Sequence, residues 1–509
     1  MQQHNLTGIT DYIPESEFSF PDINTMLTGC EEKGLTSPYL SALKIPSAEG
    51  DIYVISDLHL AAGIEQDSKY SGTENFFYDE IFSRFIQHIK SKNKNSWLVI
   101  NGDFIDFLRI TNIPNKQEDF EFWQDYLNKI CINKSLQDLQ SSILPKELEY
   151  GFKTHEYKSV WRLICAEHGH ELFFKALAEW ITAGNKLVIV KGNHDLEWYW
   201  KGIRNTMRFM LAEKIAEVSG KGIDEVFEES IFPNLFFTDH SVTFNNSVYI
   251  EHGNVYDKFS HVQGETLMPN KEEINIPFGS FFNRYLLNNL EVVFPFLDNV
   301  RPRDKVLPLL IRDHFYLGIK VFFKHIPFII KVIPKGYFFY MFGKLLAFAI
   351  PLLILIIWVG VSVWVGIKSG NIHIPELNSW IITPLKALSW GILSYFFVKI
   401  VAYFQIAEPE YLNEDVKKVM DAHPEYKFVI LGHTHNPEQF EYKGSWFYNT
   451  GTWIPIIEIS NSEIRWDKTF AFIHLVRDDA GGYIPSALQR WNDDSARFDP
   501  IVLIHKKKK

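Results

Sequence analysis

The chain has 509 residues, enough for two or more domains. Its 46% hydrophobic and 22% charged residues are ordinary for a globular protein. The net charge of −11 argues against nonspecific nucleic-acid binding through a basic surface, so no nucleic acid is expected as a partner.

Residues 1–50 read as a polar leader with turn residues. The opening MQQHNLTGITDYIPES has no basic start followed by an apolar core, so no signal peptide is expected. A strand follows at DIYVIS, ending at Ser56. Four more short apolar runs read as buried strands: WLVI ending at Ile100, KLVIV ending at Val190, SVYI ending at Ile250 and FVIL ending at Leu431. Helical patterns such as FFYDEIFSRFIQHIKS lie between them. Strands alternating with helices imply an α/β core, with chemistry just beyond the carboxyl ends of the strands.

Two insertions interrupt this rhythm. The first, about residues 108–178, is polar and expected to be helical. The second covers 261–425. The core therefore divides into residues 51–260 and 426–480, and 481–509 form an extension ending in Lys506, Lys507, Lys508 and Lys509. Cys30, Cys131 and Cys165 show no CxxC spacing and read as reduced thiols.

From Leu345 to Ile367 no charged residue occurs. About 23 apolar residues are enough to cross a hydrocarbon core of roughly 30 Å. Lys344 and Lys368 bracket the stretch, and a second, less pure apolar run covers about 387–404. A membrane hairpin is the expectation, and membrane lipids are the expected partners. The flank before it carries Arg301, Arg303, Lys305, Arg312, Lys320 and Lys324. Basic flanks favour the cytoplasmic side. The expected localisation is thus the inner membrane, with the catalytic core in the cytoplasm.

Five short motifs stand at strand ends: Asp57-Leu58-His59, Gly102-Asp103, Gly192-Asn193-His194-Asp195, His252-Gly253 and Gly432-His433-Thr434-His435. All offer oxygen and imidazole ligands, which suit manganese, iron, zinc or related divalent ions. One DxH alone would be weak; five motifs, each after an apolar strand, are not a chance set. Glu167-His168-Gly169-His170 also contains HG and HxH, but it lies in a helical region and reads as a turn or exposed helix end.

This motif set resembles the calcineurin-like metallophosphoesterase superfamily over roughly residues 50–260 and 425–475. The resemblance implies a four-layer α/β sandwich, two mixed β-sheets flanked by helices. It implies that Asp57, His59, Asp103 and His435 hold one metal ion. Asp103, Asn193, His252 and His433 would hold the other, with Asp103 as the bridge. Two divalent cations are implied, manganese first, with iron, zinc, magnesium or nickel as alternatives. A bridging carboxylate keeps two such ions roughly 3.5–4 Å apart, and the water they activate attacks phosphorus. His194 is placed to bind phosphate or protonate the leaving oxygen, and Asp195 to orient its ring. Asp106 reads equally as a residue behind the ligands or as a plain cap. Asn449 and Gly451 in YNTGTW read as structural.

Within the superfamily, DLHL, the HG loop and GHTHNP look most like the UDP-2,3-diacylglucosamine hydrolase branch. That branch carries a lid between HG and GHxH, the interval that here holds the apolar stretches. It typically has Arg after the motif's Asn, where this chain has His194. The expected function is hydrolysis of a phosphoester or pyrophosphate on a phosphorylated, lipid-linked substrate. The alternatives are a nucleotide or cyclic-nucleotide phosphodiesterase tethered to the membrane, and a non-catalytic metal-binding scaffold.

Overall fold

The computed structural model describes residues 42–64, 71–92, 95–257, 260–262, 265–288, 300–301, 412–458 and 463–503. The chain divides into one unit made of Met1–Arg303 and Glu408–Lys509 and a second, Asp304–Ala407. The second unit lies outside the described residues. So do Cys30, the lysine tail, and the stretches 345–367 and 387–404 with the topology read from them. Among the described residues, no helix is long and apolar enough to cross a membrane.

The first unit is α/β, with two mixed sheets flanked by helices. In chain order its strands are β1 (Ala42–Ile45), β2 (Ile52–Ile55), β3 (Trp97–Asn101), β4 (Lys186–Val190), β5 (Leu235–Thr238), β6 (Ser241–Phe244) and β7 (Val248–Glu251). After β8 (Val300–Arg301) come β9 (Phe428–Leu431), β10 (Glu438–Tyr442), β11 (Ser445–Asn449), β12 (Ile457–Glu458) and β13 (Glu463–Ile464). The last are β14 (Ala471–Arg477), β15 (Tyr483–Ile484), β16 (Gln489–Asn492) and β17 (Arg497–Pro500).

One sheet runs β17-β16-β14-β2-β3-β4-β5, with β15 on β14. Its β2–β5 half is parallel, and β2 pairs antiparallel with β14. The second sheet runs β1-β6-β7-β9-β11-β10, and β13-β12-β8 form a small separate ribbon. Strands β2 and β9 and residues 97–100 of β3 are apolar without interruption because they are buried on both faces. The helix Asp79–Lys90 covers the first sheet with Phe82, Phe85, Ile86 and Ile89, the spacing of one apolar helix face. Phe82 stacks on Phe173 of the helix Glu171–Thr182.

Three regions differ from the sequence expectation. Residues 42–45, expected in a polar leader, form β1 and pair in parallel with β6. Residues 483–500, expected as an extension, supply β15–β17 and extend the first sheet. Strands of two to four residues carry too short a pattern to stand out, so neither was visible as a strand. The 108–178 insertion is helical, at Gln117–Lys129, Leu136–Ser141 and Glu156–Gly169, but it is not merely polar. It buries Trp123, Leu127, Val160, Leu163 and Ile164 in the main core. Cys131 and Cys165 are in no disulfide.

Candidate metal centre

All the predicted ligands come off carboxyl ends of strands: β2, β3 and β4 in one sheet, β7 and β9 in the other. The centre therefore lies where the carboxyl ends of two sheets meet. The first two motif straps lie side by side. Leu58 and His59 donate their amides to the Asp103 carbonyl, and Leu60 donates to Phe104. Asn101 Nδ2 donates to the Glu251 carbonyl at 2.7 Å, and His252 Nδ1 donates to the Asn101 carbonyl at 2.8 Å. Those two bonds tie β3 to the HG loop across the sheets.

Five of the candidate ligands occupy the left-handed region: Asp57 (φ 53°), His59 (51°), Asp103 (51°), His433 (68°) and His435 (57°). That conformation costs a non-glycine residue about 1 kcal/mol or more. Five such costs at one place mark side chains aimed by the fold at a common point. Gly192 has no side chain because a Cβ there would lie 2.2 Å from Asp103 Oδ1.

The side chains converge as two groups sharing Asp103. Asp57, His59, Asp103 and His435 form one, and Asp103, His252 and His433 the other. Asn193 joins the second, its Oδ1 3.2 Å from His252 Nε2, which is itself 3.2 Å from Asp103 Oδ2. In the first group, His59 Nε2 and His435 Nε2 are 3.0 Å apart, and His435 Nε2 is 3.2 Å from Asp57 Oδ1. Despite that approach, buried Asp57 Oδ1 makes no hydrogen bond of good geometry. His59 has committed its Nδ1–H to Asp106 at 3.0 Å, so its Nε2 presents a lone pair when neutral. An imidazole lone pair and carboxylate oxygens converging in a buried site fit a cation between them. The residues present could therefore hold metal ions.

The electrostatics agree. Burial works to raise the Asp103 carboxyl, but His252, His194 and His59 outweigh it and hold it well below the usual range. Burial works to lower His252, yet Asp103 pushes it up to about 9.

A third cluster, His59, Asp106 and His194, has a different character. Asp106 Oδ2 accepts from His59 Nδ1 (3.0 Å), His194 Nδ1 (2.8 Å) and Arg109 Nε (3.0 Å). A guanidinium on the same oxygen would repel a metal ion, so we read the cluster as a hydrogen-bond node. Asp106 thus stands behind a candidate ligand and behind His194 at once.

Asp195 does not orient His194, as the sequence suggested. Its carboxylate is spent on the Phe104 amide (2.9 Å), the Gly192 amide (2.6 Å) and Trp198 Nε1 (2.9 Å). It holds the turn that presents Asn193 and His194; Asp106 orients the ring. Asn449 Nδ2 donates to the Gly432 carbonyl and to Thr434 Oγ1, bracing the GHTH turn. Gly451 takes φ 67°, and its carbonyl accepts from Ser56 Oγ at 3.3 Å.

His170 is not an exposed helix end. It joins the helices Glu156–Gly169 and Glu171–Thr182 but is buried, 3.1 Å from Glu74 Oε2 and 3.0 Å from Asp79 Oδ1. Its neighbour His168 is exposed. The sequence reading also missed Arg109 and Asp257, which sit beside the ligands without belonging to a motif. An arginine three residues beyond Asp106 was the available signal for the first.

Compared with known proteins, the chain matches no protein-family model and no curated protein.

Proposed function

We propose that the chain is a two-metal phosphoesterase of the calcineurin-like type, its two sheets and flanking helices forming the four-layer sandwich of that class. The observation that carries the reading is the sharing of Asp103 between two buried ligand groups. Asp57, His59, Asp103 and His435 would hold one ion, and Asp103, Asn193, His252 and His433 the other. When bound, two divalent cations supply Lewis acidity toward phosphoryl oxygens and acidify a water at neutral pH. Manganese is the proposed ion, since the donors are oxygen and imidazole without thiolate.

The chain's own residues do the rest. His194 is the one member of the cluster with appreciable exposure, its side chain 13% accessible. Its Nδ1 is committed to Asp106, so a proton delivered to a leaving oxygen leaves from Nε2. Its amide donates to Asp103 Oδ1 at 2.8 Å, which fixes the imidazole relative to the shared carboxylate.

The substrate we propose is a lipid-linked phosphoester or pyrophosphate, reached from a membrane surface engaged by the apolar runs 345–367 and 387–404. The uncharged run from Leu345 to Ile367 supports that part of the reading. The test is hydrolysis of bis(p-nitrophenyl) phosphate by the full chain with Mn²⁺, followed by a comparison of lipid-linked and water-soluble substrates. No turnover with any of them would sink the enzyme reading. Equal preference for soluble nucleotides would sink the lipid part.

A further inference from the structure

The HG loop delivers His252 and then turns back. Gly253 takes φ 104°, a single helical turn follows at Asn254–Tyr256, and the Asp257 amide closes it onto the Asn254 carbonyl at 3.1 Å. Five residues after His252, the loop places an acidic side chain in the interior. Asp257 is 2% exposed. Its Oδ2 accepts from Ser260 Oγ at 2.7 Å and lies 3.3 Å from His433 Nε2.

His433 needs such a partner. It stands in a loop, in a left-handed conformation, and neither helix nor strand dictates its ring orientation. One of its nitrogens must face Asp103 and His252, whose ring centroid is 5.3 Å from its own. With Nε2 turned to Asp257, the nitrogen left for a metal is Nδ1. A carboxylate acceptor at Nε2 fixes that tautomer and makes the ring a better donor. The same device recurs twice nearby: Asp106 backs His59 and the Asn101 carbonyl backs His252.

We infer that Asp257 is the positioning residue of the second metal site, holding His433 so that its Nδ1 ligates the ion; the inference rests on the two-metal reading above. One loop then supplies both a ligand and the brace for a ligand from the distant strand β9.

The test is calorimetric titration of the metal-stripped full chain, in detergent, with Mn²⁺ alone. The wild type should bind two ions. Asp257→Ala should weaken one of them about 10–100-fold and leave the other within twofold. Asp257→Asn keeps an acceptor oxygen without the charge and should fall between, which guards against misfolding of the alanine variant. Two unchanged affinities would overturn the inference. So would equal weakening of both ions, the mark of a general structural role, or a wild type that binds only one. If the wild type binds two ions but hydrolyses no phosphoester, the phosphoesterase reading falls. A selective loss in Asp257→Asn would then still support the inference.

Discussion

Asp106 and His194 are joined by a 2.8 Å bond between Oδ2 and Nδ1, and the same Oδ2 holds His59 and Arg109. Burial works to raise the Asp106 carboxyl, but His194, His59 and Arg109 hold it far below the usual carboxylate range. One anion thus links the proposed proton donor to a candidate ligand of the first ion.

From this node, His194→Ala should lower kcat about 10²–10⁴-fold without changing metal content. The loss should shrink with p-nitrophenolate, a leaving group that needs little protonation. Asp106→Ala should do the same and also weaken one ion about 10–100-fold. Because the two residues act together, the double variant should lose much less than the product of the single losses. Multiplicative losses would show that they work separately.

Asp103→Ala should remove both ions and abolish turnover, because the carboxylate belongs to both ligand groups. His59→Ala should weaken one ion and recover partly in excess Mn²⁺. Metal analysis after dialysis checks both. Two retained ions in the Asp103 variant would contradict the shared-carboxylate assignment.

Gly192→Ala tests the close approach of two motif loops. The added Cβ would lie 2.2 Å from Asp103 Oδ1 and 2.5 Å from its amide nitrogen. The loop has little room to retreat, since the Gly192 amide is tied to Asp195 at 2.6 Å. We expect destabilisation of about 1–3 kcal/mol, with loss of metal binding. Gly222→Ala, where nothing lies within 4 Å, should be close to neutral. Thermal melts and Mn²⁺ titrations of the two variants make the comparison.

Stability should fall as pH rises from about 6.5 to 10 through His170. Burial works to lower this imidazole, but Glu74 and Asp79 push it up to about 10 from an ordinary 6.5. A raised folded value means that the contribution is complete below about 6.5 and gone above about 10. His170→Gln should cost about 3 kcal/mol or more at pH 7, since it leaves the buried Glu74 without its charge partner. Urea midpoints of wild type and variant should converge toward pH 10. A gap that stays constant with pH would show that His170 is neutral in the folded protein.

The candidate centre was largely legible in the sequence, because a ligand set is a matter of residue type at the end of an apolar strand. Asp57, Asp103, Asn193, His252 and His433 each follow such a strand within a few residues, and the structure brings them together. Helper residues carry no such mark. Asp195 looks like a partner for His194 by adjacency, yet its carboxylate turns to backbone amides. Asp106 lies 88 positions from His194 in sequence and meets it only because β3 and β4 are parallel neighbours.

By itself, the sequence determined the α/β core, its buried strands and the donor chemistry of the centre. These follow from local apolar runs and residue type, which need no knowledge of distant contacts. Only the tertiary structure decided the rest. It placed Ala42–Ile45, Gln489–Asn492 and Arg497–Pro500 in sheets, since strands so short are specified by the partner they find. It turned His170 from an apparent helix end into a buried ion-pair partner. It set Asp257 against His433 across 176 residues of sequence. Hydrogen bonds of that kind depend on where two loops meet, and no local pattern of residues encodes the meeting.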